Sequence, residues 1–107
     1  MLSDEYRYKI LRLLEENPDL RQRDLAERLG VSLGKANYCL QALIRLGLVK
    51  ARNFRDNQNR TSYLYVLTPK GLSAKARSAT RFLQLKVAEY EALQREIENL
   101  KREQLGR

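Results

Sequence analysis

Asn37 and Gln41 stand four residues apart in a stretch of helical composition, which puts both side chains on one face. Each carboxamide donates and accepts at once, the pattern that pairs bidentately with an adenine edge. Exposed amides are also ordinary helix-surface residues, so the pair alone does not separate recognition from solvation. Lys35 is sharper. It falls in the first turn of the same segment, where the helix dipole disfavours a cation by a few tenths of a kcal/mol and a capping box would want Glu. A local rule broken without visible compensation suggests function, here a phosphate or guanine contact. Gly34 costs roughly 1 kcal/mol of helix propensity relative to Ala, less near an end. It would let a nucleic-acid backbone approach closely, although tolerant first-turn geometry explains it equally.

Enzyme chemistry finds no such foothold. The 107 residues contain no His and one Cys, Cys39, so the usual nucleophile–base pairs are missing and His/Cys zinc sites cannot be assembled. Cys39 lies beside Ala36, Leu40 and Leu43 and reads as a small buried hydrophobe rather than a redox switch. Gly34-Lys35 lacks the upstream glycine and the following Ser/Thr of a phosphate loop, and the acids form no paired cluster. No enzyme, no metal and no cofactor is expected. A lone Cys, no apolar run of about 18–20 residues and no signal peptide at Met1-Leu2-Ser3-Asp4-Glu5 lead us to expect a cytoplasmic protein without membrane contact.

Charge points to a polyanion. The chain carries 21 Lys+Arg against 13 Asp+Glu, a formal +8, with a pI near 9.9. Residues 20–71 hold ten bases against three acids, whereas residues 1–19 are net acidic. From residue 72 onward Lys75, Arg77, Arg81 and Lys86 precede the first acid, Glu89, so the basic half of the last segment is expected to continue the charged surface.

The elements that position these residues follow from periodicity and punctuation. Ser3 caps a first helix with Asp4 and Glu5 in its opening turn; Tyr6, Ile10, Leu13 and Leu14 recur at helical spacing, and Asn17-Pro18 ends the run. A short helix over Gln22–Leu29 buries Leu25, Ala26 and Leu29 and stops at Gly30. After Val31, Ser32 caps a third helix to about Leu46, with Ala36, Leu40, Leu43 and Leu46 turned inward and Gly47 ending it. Two helices joined by a tight Gly turn make a helix-turn-helix. Residues 48–54 and 61–67 are rich in strand formers and flank a polar, basic tip, which predicts an antiparallel hairpin. Tyr63 and Tyr65 share a strand face and are expected to pack it on the helices.

Thr68-Pro69 opens a last helix reaching about Glu103, some 35 residues and ~50 Å long. The preceding ~70 residues form a body well under 30 Å across, so this helix cannot lie wholly on its own domain. Its apolar stripe nevertheless continues: Leu72, Ala76, Ala79, Leu83, Lys86, Tyr90, Leu93, Ile97, Leu100 and Gln104 step by fours and threes. Leu83, Tyr90, Leu93, Ile97 and Leu100 are the candidate dimer contacts, because a second copy is the simplest cover for such a stripe. A frayed, solvated tail is the competing explanation. The fold class is therefore mainly α with a small β-hairpin and a long coiled-coil-like C-terminal helix, divided into a DNA-binding unit (1–71) and a dimerisation helix (72–107).

Asp24-Leu25-Ala26-Glu27-Arg28-Leu29-Gly30-Val31-Ser32, then Leu43 through Gly47-Leu48-Val49, then Leu67-Thr68-Pro69-Lys70-Gly71 resemble the winged helix-turn-helix of MarR-type transcriptional regulators. The short MarR-type group found beside exopolysaccharide biosynthesis genes is the most similar. Full-length relatives add an N-terminal helix and two C-terminal helices that build the dimer interface and often a phenolic-ligand pocket. Here a single long helix would take over dimerisation.

The resemblance implies that the third helix, about 32–46, enters the major groove, with Ser32, Gly34, Lys35, Asn37, Tyr38 and Gln41 at base edges. Arg45 would reach phosphate. On the wing, residues 50–63, Arg52, Arg55 and Arg60 flank Asn57 and Asn59 and suit phosphate and the minor groove. Arg21, Arg23 and Lys70 would clamp flanking phosphates. The expected partner is double-stranded DNA with a pseudo-palindromic operator, half-sites about one turn (~34 Å) apart, bound by a homodimer. Two other readings stay open: an interaction module whose last helix docks on a different protein, and a nonspecific architectural DNA binder.

Overall fold

Helix α1 (Asp4–Glu16) is capped by Ser3, whose Oγ accepts from the Tyr6 N–H at 3.2 Å, and it buries Ile10, Leu11 and Leu14. Helix α2 (Gln22–Leu29) ends on Gly30 at φ +69°, and the Val31 N–H reaches back to the Ala26 carbonyl. This left-handed residue, cheap only for glycine, turns the chain into α3 (Leu33–Arg45). Strands β1 (Val49–Arg55) and β2 (Thr61–Leu67) pair antiparallel with Val49 opposite Leu67 and Arg52 opposite Leu64. Helix α4 runs unbroken from Pro69 to Leu105. The computed structural model describes residues 3–55 and 61–106, for residues 54, 55, 61 and 62 the backbone alone.

One core joins all six elements. Ile10, Leu11, Leu14, Leu25, Cys39, Leu40, Leu43, Leu48, Val49, Tyr65 and Ala74 form a continuous buried cluster. Cys39 is buried as expected. Leu46 is not: it is about half exposed, because α3 ends at Arg45 and the turn at Gly47 (φ +75°) swings Leu48 into the core position instead. The same turn delays β1 by one residue relative to the expected start. Leu11 escaped the sequence reading although it is fully buried, since the expected stripe was drawn through Leu13, which is only partly covered.

The wing is tied to the helices at two points. The Tyr65 N–H donates to the Pro18 carbonyl at 2.9 Å, and Gln22 Nε2 donates to the buried Tyr65 hydroxyl at 3.4 Å. Tyr63, two residues along the same face, stays exposed and stacks on Tyr65 at 6.3 Å rather than packing on the helices. At the wing's base the start of α4 is locked onto the end of α3. Thr68 Oγ1 donates to the Gly47 carbonyl at 2.6 Å and accepts from the Gly71 N–H at 3.0 Å, while the Thr68 N–H donates to the Leu48 carbonyl.

Helix α4 alone is about 55 Å long. The molecule measures 72 × 26 × 22 Å, and its radius of gyration of 19.1 Å far exceeds the ~13 Å of a compact chain of this length. Only the first third of α4 is packed, with Gly71, Ala74 and Ser78 buried. Along α1 the two helices are antiparallel: Lys75 pairs with Glu15 at 3.1 Å, Arg81 with Asp4 at 3.7 Å, and Tyr8 lies on Phe82. Within α1, the Lys9 ammonium holds the Glu5 carboxyl below the usual glutamate range by hydrogen bond and by charge.

Candidate nucleic-acid interface

The helix-turn-helix gives α3 one buried and one open face. Ala36, Cys39, Leu40 and Leu43 are buried, while Ser32, Gly34, Lys35, Asn37, Tyr38, Gln41 and Arg45 are all exposed. Ser32 is the N-cap, its Oγ accepting from the Lys35 N–H at 3.1 Å. Replacing it by Ala is expected to cost about 1 kcal/mol of stability, read from a urea unfolding midpoint. Asn37 and Gln41 do meet: Gln41 Nε2 donates to Asn37 Oδ1 at 3.5 Å, a contact weak enough to exchange for a better partner. A methyl built on Gly34 meets nothing within 4 Å, so no packing within the chain requires a glycine there.

Lys35 has a partner that the sequence did not reveal. Its ammonium stands 4.7 Å from the centre of the Tyr6 ring on α1, a cation–π contact. The cation in the first turn is therefore compensated within the chain, and Tyr6 holds it at the rim of the open face.

Two other candidate residues border this face. Arg21, the N-cap of α2 with no side-chain cap bond, and Arg23 line an open depression that also contains Leu33, the first residue of α3. Arg45 closes the far end of α3. On the hairpin, Arg52 is exposed and lies on the side opposite Tyr65. Lys50 shares that side and is also exposed, a residue counted for its charge but not assigned to the site; the alternation in Val49-Lys50-Ala51-Arg52 is the signal that marks it. Lys70, in the first turn of α4, is exposed at the wing's base. Arg60, Asn57 and Asn59 lie outside the described residues, as does the side chain of Arg55.

One expectation fails. Lys75 and Arg81 do not extend the basic surface, because α1 sets Glu15 and Asp4 against them, and Lys86 is held by Glu89 at 3.2 Å and by the Phe82 ring at 5.4 Å. Two acids of α1 thus offset two cations of α4, while Arg77 stays exposed on that helix and Arg21, Arg23, Arg45, Lys50 and Arg52 are exposed at α2, α3 and the wing. Among the described residues no group of three or more His, Cys, Asp and Glu could hold a metal ion, and no helix is long and apolar enough to cross a membrane.

Residues 3–50 match a family model described as winged helix-turn-helix DNA-binding. A search of curated proteins by sequence finds no match. Among solved structures, a PadR-like transcriptional regulator of Bacillus cereus superposes with a TM-score of 0.72 at 17% identity, over 82% of this chain and 90% of that one. A MarR family protein of Mycobacterium tuberculosis, solved in complex with p-aminosalicylic acid, gives 0.60 at 24% identity over 95% of this chain and 78% of that one. The adhesin competence repressor of Streptococcus pyogenes gives 0.62 at 20% identity over 84% of this chain. The chain spans 65% of that repressor's length.

Proposed function

We propose that this chain, which has the winged helix-turn-helix fold seen in MarR-type and PadR-like transcriptional regulators, reads specific double-stranded DNA as a homodimer. The observation that carries the reading is the open face of α3, where Ser32, Gly34, Lys35, Asn37, Tyr38 and Gln41 are exposed together with the cations Arg21, Arg23 and Arg45. Helix α3 enters the major groove, and the wing lies at the minor groove. Asn37 and Gln41 read base edges, Lys35 leaves Tyr6 for a guanine or phosphate, and Arg21, Arg23, Arg45, Arg52 and Lys70 hold the backbone, with Arg55 and Arg60 contributing from the wing. Residues 1–71 carry the DNA and α4 beyond them carries the second subunit. The division is one of function, since the helix itself is continuous. The operator is a pseudo-palindrome.

Selection of duplexes from a random pool with the purified protein tests this reading, and the absence of any enriched sequence would overturn it. On the selected site, Gln41→Ala is expected to lose about 1–3 kcal/mol of discrimination against random duplex. Arg52→Ala should instead weaken all sequences alike and reduce the log–log salt slope by roughly one. Gly34→Ala separates stability from binding: it should unfold no earlier than the parent, because its methyl meets open space, yet bind the operator more weakly.

A further inference from the structure

The distal two-thirds of α4 is bare. From Leu83 to Leu105 every residue is exposed, with Leu83, Tyr90, Leu93, Ile97 and Leu100 between 43% and 64% accessible. The seam also runs back along the packed third, where Leu72 is half exposed and Ala76 open. Helix α1 does not cover it. The residues that face α1 and the core, Gly71, Ala74, Ser78 and Phe82, lie on average about a third of a turn round the helix from the adjacent seam residues at 100° per residue.

Resting on the homodimer reading, we propose that the cover is the α4 of a second copy running antiparallel, centred near Ala88. Two features of the seam select this arrangement over a parallel one. The first is size. The body-proximal half carries Ala76 and Ala79, and the distal half carries Ile97 and Leu100. An antiparallel pair sets Ala76 against the partner's Leu100 and Ala79 against the partner's Ile97, so each small residue meets a large one and the helices keep an even spacing. A parallel pair stacks methyl on methyl at one end and doubles the bulk at the other.

The second feature is charge. In a parallel pair Lys86 faces the partner's Lys86 inside the seam. In the antiparallel pair it faces the partner's Tyr90, whose ring accepts an ammonium. Lys86 already leans on an aromatic face in the single chain, 5.4 Å from the centre of Phe82. Glu89 meets the partner's Glu89 near the axis, where each is neutralised by its own Lys86. On the opposite flank Val87 meets the partner's Val87, and Thr80 stands beside the partner's Gln94.

In this register residues 72–104 overlap completely, about 50 Å of two-helix contact.

Cysteine cross-linking tests the orientation. Leu83→Cys and Leu93→Cys change exposed residues, and the native Cys39 is buried and does not compete. Mixed in equal amounts, exchanged under reduction and then oxidised, the two variants should link to each other in about half of the dimers, the statistical share, and neither should link efficiently alone. Thr80→Cys mixed with Gln94→Cys, which leaves the apolar seam intact, should behave the same way. Self-linking of either Leu variant, with no gain on mixing, shows a parallel dimer and overturns the orientation while the dimer stands. A parent protein that sediments as a monomer at every concentration removes the homodimer reading itself.

Discussion

Gly71→Ala is expected to lower stability by about 3 kcal/mol, a large share of the ~5–15 kcal/mol that holds a domain of this size. The start of α4 approaches the turn after α3 so closely that a methyl on Gly71 would overlap the Leu48 carbonyl oxygen, with the carbonyl carbon and Cα of Leu48 directly behind it. That oxygen cannot retreat, since it accepts from the Thr68 N–H and belongs to the turn locked by Thr68 Oγ1 on Gly47. The opposing atoms are backbone and have no alternative rotamer to adopt. Urea unfolding measures the loss, and Gly34→Ala is the matched control because its methyl meets nothing. Equal midpoints for the two variants would show that α4 does not seat on the Gly47-Leu48 turn.

The double variant Leu93→Asp with Ile97→Asp should leave the fold standing and abolish the dimer. Both side chains are about half exposed in the single chain and lie far from the buried cluster, so the cost to the monomer is within about 1 kcal/mol. In a paired α4 the same change buries four carboxylates in an apolar seam. Sedimentation should show a monomer at micromolar concentration. Operator affinity should fall at least ~100-fold, since two linked half-site contacts become two independent ones. A variant that still sediments as a dimer would place the interface elsewhere.

Much of this architecture was legible in residue order. Gly30 and Gly47 marked the ends of α2 and α3, Ser32 and Thr68 marked helix starts, and the strand formers of residues 48–54 and 61–67 around a polar tip marked the hairpin, because each signal acts within a few residues of itself. The length of α4 was equally plain, since a helix without an interior breaker reports itself. What escaped is what depends on residues distant in sequence. Leu46 looked like the next step of a buried stripe, but the turn at Gly47 handed its place to Leu48. Lys35 looked uncompensated, but Tyr6 comes to it from another helix. Lys75 and Arg81 looked like part of the basic face until α1 laid Glu15 and Asp4 against them.

By itself the sequence determined which residues are available: a helix-turn-helix, a basic hairpin, no catalytic set, and an apolar seam longer than its own domain. These follow from local backbone preference and from periodicity, which need no partner elsewhere in the chain. Only the tertiary structure decided which cations meet an acid on another helix and which methyl group has no room, at Gly71. Both depend on distances between helices, and a charge 60 residues away becomes a neighbour only once the core has brought α1 against α4.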